Sequence, residues 1–105
     1  MTDFVIVQTT YEHRDDALAA AKDLVERRLA ACAQTLGPIA STYAWDGDVQ
    51  QADEWLLAAK CRLADFDKCS DALLTQHPYD TPELVATPIV AGSAGYLQWL
   101  LQSTK

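Results

Sequence analysis

The sequence has 105 residues, a length that fits one domain and is too short for two. Half of the residues are hydrophobic and 22% are charged, which excludes a disordered chain. The formal net charge of -7 opposes binding to nucleic acid or to an anionic membrane surface.

Other global features predict a cytoplasmic protein. No apolar run approaches the roughly 20 residues that a membrane helix needs. The first residues lack a basic segment and a cleavage site, so we expect no secretion signal. The three cysteines have no zinc-ligand spacing and fit reduced thiols. A single domain over residues 1–105 must also hide three Trp, four Tyr and two Phe, which favours a homo-oligomer.

The first elements in chain order are a strand and a helix. Residues 4–9 are rich in β-branched side chains, which predicts a buried strand. Residues 17–29 repeat apolar side chains every three or four positions and predict a helix. Its expected inner face comprises Leu18, Ala21, Leu24, Val25 and Leu29.

A long hairpin is expected next. Residues 31–45 and 49–62 predict two paired strands, and Asp46-Gly47 is typical of the turn between them. Gly37-Pro38 interrupts the first strand, because Pro has no N–H to donate and Gly permits a bulge. Alternation places one set of return-strand side chains on one face (Trp55, Leu57, Ala59, Cys61) and a second set on the other (Glu54, Leu56, Ala58, Lys60).

The remaining elements are a helix, a loop, a strand and a last helix. Residues 63–77 predict a helix that Pro78 ends, followed by an extended loop over residues 77–83. Residues 84–89 predict a fourth strand, in which Pro88 indicates an edge position or a strand end. Ser93 is expected to cap a short helix over residues 94–102. The expected inward side chains of the two helices are Phe66, Cys69, Leu73 and Leu74, and Leu97, Leu100 and Leu101.

This order, βαββαβ followed by a C-terminal helix, predicts an α+β fold. It is the ferredoxin-like split βαβ arrangement, with a four-stranded antiparallel sheet and two helices on one face. The hairpin is too long for its own domain to cover, so we expect it to reach a neighbouring subunit.

Two histidines and three cysteines are the first candidates for chemistry. His77 follows a predicted helix and is either a metal ligand, a donor in a cleft, or a cap of the helix C-terminus. His13 lies in a polar loop and is expected at the surface. The hairpin register places Cys32 near Cys61, so a two-thiol Cu(I) site competes with simple core packing, which we favour.

Lys60 is a cation on a half-apolar strand face. Such a group needs a carboxylate partner or an anionic ligand. We favour an ion pair between strands or subunits over a cleft cation that awaits an anion. No Gly-rich phosphate loop, nucleophile elbow or C-x-x-C pattern occurs, so the residues predict a protein that is not an enzyme.

Five segments together resemble one protein family. They are Glu26-Arg27-Arg28-Leu29-Ala30-Ala31-Cys32, Tyr43-Ala44-Trp45-Asp46-Gly47, Glu54-Trp55-Leu56-Leu57-Ala58-Ala59-Lys60, His77-Pro78-Tyr79-Asp80-Thr81-Pro82-Glu83-Leu84 and Tyr96-Leu97-Gln98-Trp99-Leu100. In order and spacing they resemble the CutA divalent-cation-tolerance proteins over essentially the whole chain.

The resemblance implies a ferredoxin-like protomer in a tight homotrimer. It further implies a cytoplasmic protein linked to tolerance of copper and other divalent ions, with no required cofactor. A likeness to the trimeric PII signalling proteins implies that a metal ion or a small anion binds in clefts between subunits. The alternative is a PII-like scaffold for partner proteins without specific metal binding.

The resemblance also implies where such a site would lie. His77 is the candidate metal ligand, and the candidates around the inter-subunit cleft are Thr9, Trp45, Lys60, Tyr79 and Glu83. Copper-binding relatives are thought to use a first-strand Cys and adjacent histidines, whereas this sequence has Gln8 and the pair Gln76-His77. One imidazole and two amides predict weak copper binding at most.

Overall fold

The structure, a computed structural model, describes residues 3–104 and confirms the expected fold. Its elements are β1 (Phe4–Tyr11), α1 (Arg14–Glu26), β2 (Ala30–Trp45), β3 (Asp48–Arg62), a 3-10 turn (Leu63–Asp65), α2 (Phe66–Gln76), β4 (Val85–Pro88) and α3 (Ala94–Ser103). The four strands form one sheet in the order β2-β3-β1-β4. All three pairings are antiparallel, as in the ferredoxin-like arrangement.

One face of the sheet carries the core, beneath α1 and α2. The predicted alternation along β3 is confirmed, since Leu57, Ala59 and Cys61 are buried and Trp55 packs against them. The core also contains side chains from β1 and from both helices, among them Val5, Val7, Leu24, Cys69 and Leu73.

Parts of the predicted helix faces are wrong. Leu18 and Val25 in α1, Leu74 in α2 and Leu101 in α3 are 38–46% exposed. In α1 the buried residues are Ala17, Ala20 and Leu24. Periodicity identifies the apolar side of a helix, but that side is wider than the part that contacts the sheet. The small alanines of α1 allow the helix to lie close to the sheet, so they are the buried residues.

The hairpin and its bulge are confirmed. The β2–β3 pairing shifts between Leu36 and Ile39, where Gly37-Pro38 stands. Asp46 and Gly47 both have positive φ (50° and 81°), which is the backbone of a tight hairpin turn. The hairpin gives the chain a longest dimension of 44 Å against 25 and 22 Å in the other directions.

The second face of the sheet is open over much of its area. Half-buried Ile6, Gln8, Leu56 and Ala58 lie on it. Within residues 3–104, α3 packs near one end of this face, and the Ser93 hydroxyl caps the helix as predicted by accepting from the Tyr96 N–H. Pro88 ends β4, an edge strand, in agreement with its predicted position.

No helix within the described residues is long and apolar enough to cross a membrane.

Candidate functional site

The His77 side chain is held where α2 ends beside the end of β1. Its Nε2 atom lies 2.9 Å from the Thr10 carbonyl oxygen and 3.1 Å from Thr9 Oγ1. Its Nδ1 atom accepts a hydrogen bond of 3.1 Å from the Tyr79 backbone N–H. The helix ends at Gln76, and the His77 backbone before Pro78 is extended (φ -71°, ψ 133°), as expected for a residue that precedes proline.

These partners define the protonation state of the ring. The Thr10 carbonyl can only accept, so Nε2 carries the proton, and the Tyr79 N–H can only donate, so Nδ1 does not. His77 is therefore a neutral imidazole with both nitrogens engaged. A metal ion could bind it only by displacing one of these partners.

Two aromatic rings enclose the imidazole. Tyr11 stacks on it with ring centroids 4.3 Å apart and planes at 12°, and Tyr79 lies at 4.9 Å with its plane tilted by 50°. Burial lowers the pKa of His77, since this environment disfavours the charged ring. Burial, with a smaller contribution from Asp16, raises the pKa of Tyr11 to about 12.

Tyr79 joins this cluster to the hairpin. Its hydroxyl donates to Glu54 Oε2 at 2.8 Å. Desolvation and the adjacent Glu54 carboxylate raise the pKa of Tyr79, so its hydroxyl keeps the proton that it donates. The pair fixes the loop after α2 against β3.

An open groove of about 1030 Å³ lies between this loop and the hairpin. Aromatic side chains of Tyr43, Trp45 and Tyr79 line it. Its carboxylates come from Glu12, Asp53, Glu54, Asp80 and Glu83. Within residues 3–104 no Lys or Arg lines the groove, so its walls attract cations and repel anions.

The structure brings most of the predicted site residues together. Thr9, His77 and Tyr79 form one cluster, while Trp45 and Glu83 line the groove beside it. Thr9 is completely buried, so it supports the imidazole and offers no surface to a ligand.

Lys60 lies elsewhere, on the open face of the sheet. Its ammonium group donates to Gln34 Oε1 at 3.0 Å and lies 5.8 Å from the centre of the Tyr96 ring. Within residues 3–104 no carboxylate lies within 4.0 Å of it, so the favoured ion pair does not form between strands of this chain. Whether a second subunit supplies one stays a prediction.

The expected neighbourhood of Cys32 and Cys61 is wrong. A register shift near the start of β2 pairs Cys32 with Lys60 and leaves Cys61 opposite Ala30. Cys32 therefore shares the open face with Lys60, whereas Cys61 points into the core. A Cu(I) site that joins these two thiols is excluded by their opposite faces.

Sequence reasoning missed three contributors to the site. The Thr10 carbonyl and the Tyr11 ring complete the His77 cluster, and the Glu54 carboxylate joins it to the hairpin through Tyr79. The alternation of side chains along β1 is the one sequence signal that could have placed Tyr11 in the site, because alternate residues of a strand share a face and Tyr11 is two residues after Thr9. His13 is at the surface, as predicted, with 71% of its side chain exposed.

The described residues hold no cluster of three or more His, Cys, Asp or Glu side chains arranged to bind a metal. The five groove carboxylates are therefore spread along its walls and do not converge on one point within a single chain.

Comparison with known proteins identifies one family. The family model described as CutA1 divalent ion tolerance protein matches residues 5–103. The chain is 39% identical over 99 residues to the divalent-cation tolerance protein CutA of Thermus thermophilus, covering 94% of this chain and 96% of the relative. It is 37% identical over 101 residues to the chloroplastic CutA protein of Arabidopsis thaliana, covering 96% of this chain and 56% of that longer protein.

A solved structure agrees with these sequence matches. The periplasmic divalent cation tolerance protein CutA of Archaeoglobus fulgidus superposes with a TM-score of 0.93 at 30% identity, over 97% of this chain and 99% of the other. The two proteins therefore share one fold over nearly their whole length.

Proposed function

The chain belongs to the CutA1 divalent ion tolerance protein family, and from this premise we propose that it is a non-enzymatic homotrimer. It contributes to tolerance of divalent cations, copper among them. It binds a metal ion or a small effector in clefts between its subunits.

The uncovered surfaces of the protomer support the trimer. The outer edge of β2, an edge strand of 16 residues, offers unpaired backbone groups to another chain. The hairpin tip exposes 61% of Trp45 and 77% of Val49. A second and a third copy would cover these groups, and each cleft would then combine residues from two chains.

The acidic groove supports binding of cations. Hard divalent ions prefer carboxylate, carbonyl and water oxygens. Because the described residues of one chain form no three-ligand cluster, we place the ion between subunits, where a neighbour's side chains complete its shell. A small anion would instead meet Lys60, a cation of the open face, whose ammonium has Gln34 as its neutral partner.

Copper at His77 is the weaker part of the proposal. A copper ion must displace either the Tyr79 N–H from Nδ1 or the Thr10 carbonyl from Nε2–H. Gln8 and Gln76 replace the thiol and the second imidazole that copper-binding relatives are thought to use. Amide oxygens are poor ligands for copper, so binding at His77 is weak.

A second candidate function is a PII-like scaffold for partner proteins without specific metal binding. The closed hydrogen-bonding of His77 favours it, since a ring with both nitrogens engaged serves structure. The family is named for tolerance and not for a reaction, and we propose no enzymatic activity for either candidate. We place the protein in the cytoplasm, although relatives carry chloroplastic and periplasmic designations.

Metal titration separates the two functions. Trp45 lines the groove and reports on it, so Cu(II), which quenches tryptophan, should lower the fluorescence to a plateau. The double variant Asp53→Asn/Glu83→Gln should lose most of this response. The matched control Asp67→Asn/Asp71→Asn removes the same charge from the exposed side of α2 and should keep it.

The reporter needs its own control. In Trp45→Phe the saturable quenching should disappear, since the other two tryptophans do not line the groove. If the groove variant, the α2 variant and the natural protein all respond equally, the groove binds no metal and the scaffold function is favoured.

A further inference from the structure

Aromatic rings line the groove between the hairpin and the loop after α2. Tyr43 and Trp45 are 43% and 61% exposed, and Tyr79 lines the groove beside them. Tyr43 and Trp45 lie two residues apart on β2, so they share one face of the hairpin. Glu54 lies on the same face, since its partner on β2 is Ile39. Ring surfaces and a carboxylate therefore face the same cavity.

The exposed rings of the groove have no cation over them within the described chain. Elsewhere in the protein a cationic side chain lies 5.8 Å from the centre of an aromatic ring, as Lys60 does at Tyr96 and Arg14 at Trp55. Among residues 3–104 no such contact is made to the groove rings, and no Lys or Arg lines the cavity. The negative faces of these rings are therefore free to contact a cation from outside the chain.

The carboxylates of the groove are spread along its length. They follow β1, lie on β3 or belong to the loop after α2 (Glu12, Asp53, Glu54, Asp80, Glu83). The β3 residues that line the cavity run from Gln50 to Glu54, which is about 13 Å at about 3.3 Å per residue. Within the described range 3–104, no Lys or Arg nitrogen lies within 4.0 Å of these five carboxylates. The groove therefore holds several separate negative charges that the described chain does not neutralise.

We propose that the groove binds a linear polyamine, in which methylene chains join several ammonium groups. This inference rests on the proposed function, because it assigns a chemical class to the small effector of the cleft. The ammonium groups donate hydrogen bonds to the separated carboxylates and lie against the ring faces of Tyr43 and Trp45. The methylene chains between them pack on the same rings and bury apolar surface.

The distribution of charge favours a polyamine over a single metal ion within one chain. A hard divalent ion needs its oxygen ligands within about 2.6 Å of one point. The described residues contain no group of three ligands that meets this condition. A polyamine has no such requirement, because its positive charges are distributed along a chain in the same way as the carboxylates are distributed along the groove.

Two trivalent cations of different shape test the proposal on the natural protein. Spermidine carries three positive charges along a chain, whereas hexaamminecobalt(III) carries the same charge on a compact ion without methylene groups. Isothermal titration calorimetry in about 0.1 M salt should show one spermidine per chain, bound roughly 10-fold more tightly than hexaamminecobalt(III). Attraction by the net charge alone would bind the two cations equally.

Variants locate the binding. Asp53→Asn/Glu83→Gln should weaken spermidine binding roughly 10-fold or more, because two charge-assisted contacts are lost. The matched α2 variant Asp67→Asn/Asp71→Asn should change it by less than about 2-fold at this ionic strength. Trp45→Leu keeps an apolar side chain without the ring and should weaken binding about 2- to 5-fold.

Equal affinity for the two trivalent cations, or equal losses in the groove and α2 variants, would overturn the proposal. Tighter binding of the trivalent peptide acetyl-Lys-Lys-Lys-amide than of spermidine would also overturn it, because the groove would then accept a protein segment.

The copper titration distinguishes failure of this proposal from failure of metal binding. A copper response without spermidine binding would overturn the polyamine proposal and leave metal binding in place. Spermidine binding without a copper response would support the polyamine as the effector and remove the metal ion from the proposed function.

Discussion

The His77 cluster (Thr9, Thr10, Tyr11, His77 and Tyr79) and the hairpin tip (residues 42–53) are neighbours that differ in how they are completed. In the cluster, both nitrogens of the imidazole have partners from the same chain, and two rings enclose it. At the tip, every side chain is exposed. A single chain therefore supplies all the partners in the His77 cluster. The side chains of the hairpin tip can be buried only by another molecule.

The difference has an energetic side. The cluster combines buried hydrogen bonds with stacked rings, so removing one of its side chains leaves buried polar groups without hydrogen-bond partners. The tip is held by its strand register, from Trp45 opposite Asp48 to Thr42 opposite Gln51, where the Gln51 amide also donates to the Thr42 hydroxyl. Changes in the cluster should therefore affect stability more than changes of equal size at the tip.

Removing the imidazole is expected to have the largest effect. His77→Ala leaves the Thr10 carbonyl and the Tyr79 N–H without their partner and removes the stack on Tyr11. We expect the free energy of unfolding to fall by about 2–4 kcal/mol, measured by urea denaturation at a fixed protein concentration. His13→Ala, at an exposed position, should change it by less than about 0.5 kcal/mol. Equal losses in the two variants would show that the cluster is not a stabilising unit.

A smaller effect is expected where the hairpin bends. A Cβ atom on Gly37 would lie 2.6 Å from the Trp55 ring and 3.0 Å from the Glu54 carbonyl oxygen. Gly37→Ala should therefore displace Trp55 and cost about 1–3 kcal/mol in urea denaturation.

Gly95 provides the matched control for this change. It is helical and has open space around it, so Gly95→Ala should be neutral or stabilise by up to about 1 kcal/mol. If Gly37→Ala changes the free energy of unfolding no more than Gly95→Ala does, the close contact between the bulge and Trp55 does not contribute to stability.

The smallest effect concerns pH. The folded protein holds the pKa of His77 below its ordinary value of 6.5, mainly by burial. The unfolded chain therefore binds this proton first as the pH falls. The stability that the neutral ring contributes is complete above pH 6.5 and is lost as the pH falls below it.

Parallel denaturation curves at pH 7.5 and pH 5.5 check the sign of this effect. The natural protein should lose more stability on acidification than His77→Gln does, while His13→Gln should behave like the natural protein. A loss of equal size in His77→Gln would assign the pH dependence to other groups.

The sequence predicts the strands and turns of this fold well because their signals are local. Asp46-Gly47 forces the turn, Gly37-Pro38 forces the bulge, and Pro88 ends the edge strand. Each of these residues limits its own backbone, so no knowledge of distant contacts is needed.

Side-chain partnerships are predicted less well because they depend on tertiary packing. Leu18 falls at the spacing expected for the buried side of α1, but 38% of it is exposed because the sheet does not cover that part of the helix. Cys61 is buried in the core opposite Ala30, whereas the expected hairpin register placed it beside Cys32. His77 is found beside Tyr79 as expected, but its engagement of both nitrogens depends on the Thr10 carbonyl.

The solution mass tests most directly the claim that other subunits complete the hairpin tip. Light scattering on the eluting peak, repeated on dilution, gives the mass of the assembly without reference to any ligand. We predict three times the 11.5 kDa mass of one chain, and a trimer that persists at low concentration. A monomer would contradict the account, because Trp45, Val49 and the outer edge of β2 would then face water with nothing to cover them.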